Sequence, residues 1–426
     1  MELIVLILTF FILLLMGVPV AMTMFGSSLI YILLDPSIKL ANVTTKVLSG
    51  VSGYSLLALP LYIMVGEIMN SAGITKRLFN LPLAIIGHFK GGLAYVNILA
   101  SMIFAGMSGA AIADTAGLGK IELQVMEEEG YDKGFSAAIT AASSTVGPII
   151  PPSTTMIVYA VVAEVSVARL FIGGFLPGII IGILMMIYVR LVSARQYDLP
   201  TRPRANNEQI IRAVKEAVLP CLTPVIIILG IITGITTATE AGAVAVIYSL
   251  ALSYYYKHFS WKDFLLVIRN SVNTTIKICF IVIASGLFGW VITMAQIPAL
   301  VSGFLFSAGI SKWLILILIN LLLLFLGCFL SITSSLLIAT PTLVVLAHVY
   351  NIDLVHLGII MTLNLTIGLV TPPVGWNLYI VSELAGISFN KMVRNVLPFL
   401  IPLLISLVVM TYFPATVLWL PGLLFK

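Results

Sequence analysis

Two apolar stretches of this chain are interrupted at matching places by residues that could hold an ion. One reads Ser143-Ser144-Thr145-Val146-Gly147-Pro148-Ile149-Ile150-Pro151-Pro152-Ser153-Thr154, and the other Asn364-Leu365-Thr366-Ile367-Gly368-Leu369-Val370-Thr371-Pro372-Pro373-Val374-Gly375. Hydroxyls supply hard oxygen ligands. Proline removes a backbone donor and breaks a helix, which frees carbonyls. In hydrocarbon such a break survives only where it is buried in protein or lines a cavity. Paired breaks in the two halves of a chain are the mark of a transporter's binding site.

Two further segments read as helical hairpins with their turns in mid-membrane. Residues 91–127 turn at Gly106-Met107-Ser108-Gly109 and resume with Asp114, Lys120 and Glu122; residues 312–349 turn at Ser331-Ile332-Thr333-Ser334-Ser335. The alternative is two tight helices joined at a membrane surface. For the first segment that would send a charged helix across alone. Each turn starts a new helix, whose free N–H groups and positive dipole end favour an anion. Carbonyls released before the turn favour a cation.

The candidate Na⁺ ligands are therefore Ser108, Gly109, Ser144, Thr145 and Gly147 in one half, and Thr333, Ser334, Thr366, Gly368 and Thr371 in the other. Candidate substrate contacts are Ser108, Asp114, Pro148, Ser153, Thr154, Ser335 and Asn377. For any single hydroxyl the competing reading is a bond to its own helix carbonyl four residues back. Asp114 could face an ion or a hydrated cavity. Glu67, Glu122 and Glu164 are further acids at membrane depth, suspects by default. Glu240 follows Thr237 by three residues, as in a capping box. No acid pair stands out to relay protons, which favours Na⁺ as the coupling ion.

The elements that must position these groups are membrane helices. The chain is 60% hydrophobic and only 9% charged, against roughly a quarter charged in soluble domains. Ten spans fit near 2–16, 18–34, 55–74, 135–163, 168–190, 217–235, 240–256, 272–294, 357–381 and 390–418. The first two could also be one helix kinked at Gly17-Val18-Pro19. The amino-terminal segment lacks a basic start and does not read as a cleaved signal.

A shift of 221 positions maps Gly147 onto Gly368, Pro151-Pro152 onto Pro372-Pro373, and Asp132 onto Asp353. The first repeat is then 1–194, with scaffold helices 1–74, hairpin 91–127, broken helix 135–163 and helix 168–190. A linker follows at 195–216. The second repeat is 217–426, with scaffold helices 217–294, hairpin 312–349, broken helix 357–381 and helix 390–418. Arg190, Arg195, Arg202, Arg204, Arg212 and Lys215 cluster around the linker and put it in the cytoplasm. Lys257, Lys262 and Arg269 fall on that side, and Lys39, Lys46, Arg169 and Lys312 opposite. Each half has an odd number of crossings, so the halves are inverted. The fold class expected is an all-α polytopic membrane protein: an inverted repeat with two re-entrant hairpins and two broken helices; the elevator-type ion-transporter architecture is what the family resemblance given below implies.

Other classes fit less well. The net charge of +5 reflects loop orientation and gives no reason to expect nucleic acid. Cys221, Cys279 and Cys328 lack metal-ligand spacing. Gly106-Met107-Ser108-Gly109 matches a short motif of intramembrane serine proteases, but His88, His258, His348 and His356 all lie at or near segment ends. The continuous polar stripe or charge rings of a channel pore are missing.

These motifs together resemble the large membrane subunit (the DctM-like or M subunit) of tripartite ATP-independent periplasmic transporters. The resemblance runs from end to end. It is carried by Gly17-Val18-Pro19-Val20-Ala21, the run from Ala58 to Thr75, Phe104-Ala105-Gly106-Met107-Ser108-Gly109, Gly147-Pro148-Ile149-Ile150-Pro151-Pro152-Ser153 and the run from Thr236 to Ala245. Ala238 departs from the proline usual before Thr-Glu. The resemblance implies Na⁺-coupled import of a small carboxylate solute across a bacterial inner membrane by an elevator mechanism. It implies two partners, a small four-helix (Q-type) membrane subunit and a periplasmic substrate-binding protein (P-type). The forms Ala113 to Gly119 and Ala141 to Thr145 look closest to members that carry sialic acid. Another sugar acid, a C4-dicarboxylate, or a stand-alone Na⁺/carboxylate symporter are the alternatives.

Overall fold

The computed structural model describes residues 2–36, 38, 40–193, 197, 199–256 and 260–425; Lys39, Arg195, Lys257 and His258 lie outside the described residues. The described chain is helical, with no strand. Six of its helices have the length and apolarity to cross a bilayer.

The chain opens with α1 (Glu2–Leu15) and α2 (Val20–Leu34), two helices separated at Gly17, whose φ is +79°, and Pro19. They pack on each other and on the long helix α14 (Trp261–Met294), where Leu6, Met24, Phe288 and Val291 share a satellite core. After α3 (Leu40–Val51) comes α4 (Ala58–Ser71). It bends by 73° at Gly73 into α5 (Ile74–Ile86). Gly73 sits at φ +65°, where a side chain would be strained.

The first hairpin descends as α6 (Gly92–Ser108), turns at Gly109, and returns through α7 (Ala111–Asp114), a π turn at Thr115–Gly119, and α8 (Lys120–Glu128). Its arms fold back on each other, because Asn97 on one reaches Glu122 on the other at 2.9 Å. Then follow α9 (Lys133–Ser143), a tight turn at Ser144–Val146, irregular chain to Ser153, α10 (Thr154–Val162) and α11 (Val167–Tyr188).

The second half runs through α12 (Asn207–Ile232), α13 (Ala238–Tyr255) and α14, then α15 (Ile297–Ser307). Its hairpin is α16 (Lys312–Phe329) and α17 (Ile332–Val349). It is followed by α18 (Leu354–Gly368), irregular chain, α19 (Trp376–Ala385), α20 (Phe389–Tyr412) and α21 (Ala415–Leu424).

Local chemistry sets these boundaries. Asp132 and Asp353, equivalent under the 221-residue shift, both cap the broken segments: Asp132 accepts from Phe135 N, and Asp353 from Val355 N and His356 N. Thr237 and Glu240 form a reciprocal capping box at α13, so this acid is a helix cap. The linker is only partly open chain, because Asn206 and Gln209 box the start of α12. Both Pro-Pro bonds, at 151–152 and 372–373, are cis.

The two broken segments pass each other antiparallel. Tyr159, late in the first, donates to the carbonyl of Leu354, early in the second, at 2.7 Å. At the other end Lys133 and Ser136 share a cleft with Leu384 and Ala385. One large core surrounds this crossing, with Phe135, Tyr159, Met361 and Leu365 fully buried.

Candidate functional site

A cavity of about 300 Å³ lies between the two hairpin turns. The first turn contributes Ser108 and Ala110 to Ala113, the second Ser331, Ile332 and Thr333. Pro148, Thr154, Thr155 and Leu369 from the two breaks close one wall. The opposite wall belongs to α4 and α14, with Ile63, Gly66, Glu67, Asn70, Thr274 and Ile278.

Small residues allow the close approach. A Cβ at Gly66 would sit 3.4 Å from the Ser108 Cα, so α4 lies directly on the first turn. Gly109, at φ +61°, takes the left-handed conformation that ends α6. Its carbonyl accepts from Thr154 Oγ1 at 3.2 Å, which ties the turn to the start of α10. In the second half Gly327 of α16 and Gly368 of α18 meet backbone to backbone; a Cβ on Gly368 would lie 2.6 Å from Gly327.

Four of the sequence candidates reach this cavity: Ser108, Pro148, Thr154 and Thr333. The others sit behind it. Ser108 Oγ donates to Oδ1 of Asp114, which is 2% exposed, and Asp114 Oδ2 is buried with no hydrogen-bond partner beside Gly147. Ser144 Oγ donates to Ala141 O and Thr145 Oγ1 to Ala142 O, both at 2.7 Å. Thr366 bonds Leu363 O and Thr371 bonds Ile367 O, also at 2.7 Å. These four hydroxyls bond their own helices, the competing reading for each. Ser153 caps α10 by accepting from Met156 N. Ser334 pairs with Ser331 at 2.8 Å, and Ser335 reaches back to Leu326 O at 3.3 Å. Asn377 is buried, donates to Ser144 Oγ at 2.6 Å, and leaves its Oδ1 unpartnered.

Five polar groups of the cavity are not among the site residues read from the sequence: Glu67, Asn70, Thr155, Thr274 and Ser331. In the sequence Glu67 reads only as an acid at membrane depth. The available signal is spacing: Ile63, Gly66, Glu67 and Asn70 recur at i, i+3, i+4 and i+7, which puts them on one face of α4. The sequence also suggested no acid pair. The structure buries both Asp114 and Glu122.

Comparison with known proteins decides the family. The model of the "Tripartite ATP-independent periplasmic transporter, DctM component" matches residues 7–416. The chain belongs to that family. It is 39% identical over 96% of its length, and 95% of the relative's, to the sialic acid TRAP transporter large permease protein SiaM of Vibrio cholerae. It is 37% identical to the C4-dicarboxylate TRAP transporter large permease protein DctM of Pseudomonas aeruginosa, with 93% of each chain covered. It is 35% identical to the 2,3-diketo-L-gulonate TRAP transporter large permease protein YiaN of Escherichia coli, with 86% of each covered. Among solved structures, the Alcanivorax borkumensis YdaH transporter has the same fold, with a TM-score of 0.68, 13% identity and 91% of each chain covered. The DctM-family chain is thus an all-α, multi-pass protein of the bacterial inner membrane and a TRAP large permease.

Proposed function

We propose that this permease imports a small carboxylate solute by Na⁺ symport, with sialic acid as the favoured substrate. The observation that carries the reading is the cavity between the two hairpin turns, which gathers backbone and hydroxyl groups from both repeats. Ser108, Thr154 and Thr333 offer hydrogen bonds to a carboxylate or a hydroxyl. The free N–H groups that start α7 and α17 face an anion favourably.

Na⁺ fits the donor set behind the cavity. Asp114 Oδ2 is a buried carboxylate oxygen with no partner, and a charge at that depth calls for a counter-ion. Ser108 Oγ, the carbonyls around Gly147, and Asp114 would hold one ion. In the second half Thr333, Ser334 and the carbonyls released near Gly368 and Thr371 would hold another. Binding the ions ahead of the solute offsets the acid's charge and turns the site toward an anion.

The moving unit in this reading comprises the two hairpins and the two broken segments, and it slides past α1–α4 and α12–α14. The family's name describes a tripartite periplasmic transporter and its relatives are named large permeases, and in this reading the permease works with a small membrane subunit and a periplasmic substrate-binding protein. Sialic acid is favoured on the forms of Ala113 to Gly119 and Ala141 to Thr145; the C4-dicarboxylate and sugar-acid alternatives have named relatives at similar identity. The test is uptake of sialic acid into proteoliposomes that hold the permease, its small subunit and its binding protein. Uptake should require an inward Na⁺ gradient. Equal uptake driven by a proton gradient without Na⁺ overturns the coupling, and uptake by the permease alone favours a stand-alone symporter.

A further inference from the structure

The deeper of the two buried acids has a setting of its own. Glu122, on α8, is 1% exposed. Its Oε2 accepts from Asn97 Nδ2 at 2.9 Å, and the same nitrogen donates to Thr140 Oγ1 at 2.7 Å. Asn97 Oδ1 in turn accepts from Ser143 Oγ at 2.7 Å, and Ser101 Oγ donates to Ser143 at 3.0 Å. Glu122 Oε1 is buried with no partner. The ion pairs of the described residues use Glu216, Glu127, Glu129 and Asp132, and none reaches Glu122.

An ionised carboxylate buried without a counter-charge costs several kcal/mol. It must be neutralised by a metal ion or by a proton. The surroundings favour the proton. The cavity at Ser108 and the cleft at Lys120 both stop short of Glu122. Gly119, three residues before it, is packed so tightly on Thr140 that a Cβ would lie 2.9 Å from that side chain. A proton needs no cage and no extra room. Asn97 can serve either state: its amide nitrogen donates to the carboxylate, and on flipping its oxygen accepts from the acid.

We propose that Glu122 is a proton-binding site, and that this residue stays a neutral carboxylic acid inside the permease at neutral pH. The groups that face it from each neighbouring element allow this. Asp114, before the π turn, is itself a buried acid and brings no positive charge. Lys120, Glu127 and Glu128 on its own helix are exposed, as is Glu383 on α19. Lys133 on α9 pairs with Glu127 at 2.7 Å, and Tyr95 on α6 is half-buried. None of them supplies the missing positive charge.

The test uses the purified full-length chain and no transport assay, so it stands apart from the Na⁺-symport reading. Infrared spectra at neutral pH should contain a carboxylic-acid C=O band that shifts in D₂O and disappears in Glu122→Gln. The melting temperature of the wild type should fall as pH rises, because the folded state keeps a proton that the unfolded state releases. Glu122→Gln should lack that part of the fall. Loss of a carboxylate band instead, or an acid band that Na⁺ abolishes in the wild type, overturns the proposal in favour of a metal site. Should Glu122→Gln fail to fold, Thr140→Val removes a neighbour of the acid and must shift the band; an unmoved band also overturns it.

Discussion

The Asn377 side-chain amide donates to Ser144 Oγ at 2.6 Å, so one hydrogen bond joins the helix breaks of the two halves of the chain. The residues are far apart in sequence, and both are buried. Each break exposes backbone groups that no longer bond along a helix. Tying one break to the other fixes both sets of groups relative to a single centre.

That bond should be measurable. Ser144→Ala leaves the buried Asn377 amide without its acceptor and should lower stability by about 1–3 kcal/mol. The double variant with Asn377→Ala should be less destabilised than the sum of the singles. Thermal melts of the four proteins in detergent check this, and simple additivity counts against a working link between the breaks.

The contact between Gly327 and Gly368 makes a second demand. A methyl group on Gly368 would lie 2.6 Å from the Gly327 backbone, which cannot swing aside as a side chain could. Gly368→Ala should therefore cost about 1–3 kcal/mol by overpacking, and more if α16 is forced away. Gly303→Ala, where nothing lies within 4 Å, is the matched control and should be neutral. Equal melting temperatures for both variants would show that the helices part easily.

The breaks and turns could be read from the sequence because proline and glycine signal locally. The interhelical polar groups could not. Asp114 and Glu122 are eight residues apart, about 80° from each other on an ideal α-helix. The π turn at Thr115–Gly119 takes up part of that offset, so both acids point inward. Nothing in a Thr-Ala-Gly-Leu-Gly run announces a π turn. Helix α5 escaped for a different reason. Lys76 and Arg77 make it look like a loop, while Ile74, Leu78, Phe79 and Pro82 bury one face. Helix α21 is hidden in another way, since Phe413 and Pro414 break what reads as one continuous apolar span.

Hydroxyls at the two turns differ in what they support, and this yields a third prediction. Ser108 holds Asp114, so Ser108→Ala removes a hydrogen bond to a buried acid as well as an oxygen ligand. Bonds to charged groups contribute about 1.5–3 kcal/mol, so half-saturating Na⁺ should rise about tenfold or more. Thr333→Ala should raise it less. Sialic acid uptake across a Na⁺ titration separates the two. Wild-type curves for both variants would assign these hydroxyls to capping alone.

The wall formed by α4 supplies the test of movement. Glu67 on α4 and Ala110 on the first turn line the same cavity, yet they belong to the fixed and moving parts of the proposed elevator. If the hairpins and broken segments slide as a body, this contact exists in one state and is lost in the other. Cysteines at both positions should crosslink in only part of the population, in a background where Cys221, Cys279 and Cys328 are replaced. Substrate and Na⁺ should change that fraction, because ligands shift populations only through unequal binding to the two states. The crosslink should stop uptake, and reduction should restore it. A crosslinked permease that transports at the wild-type rate would mean that the first hairpin stays beside α4 throughout. Access to the cavity would then have to come from opening at Ser331–Thr333 alone.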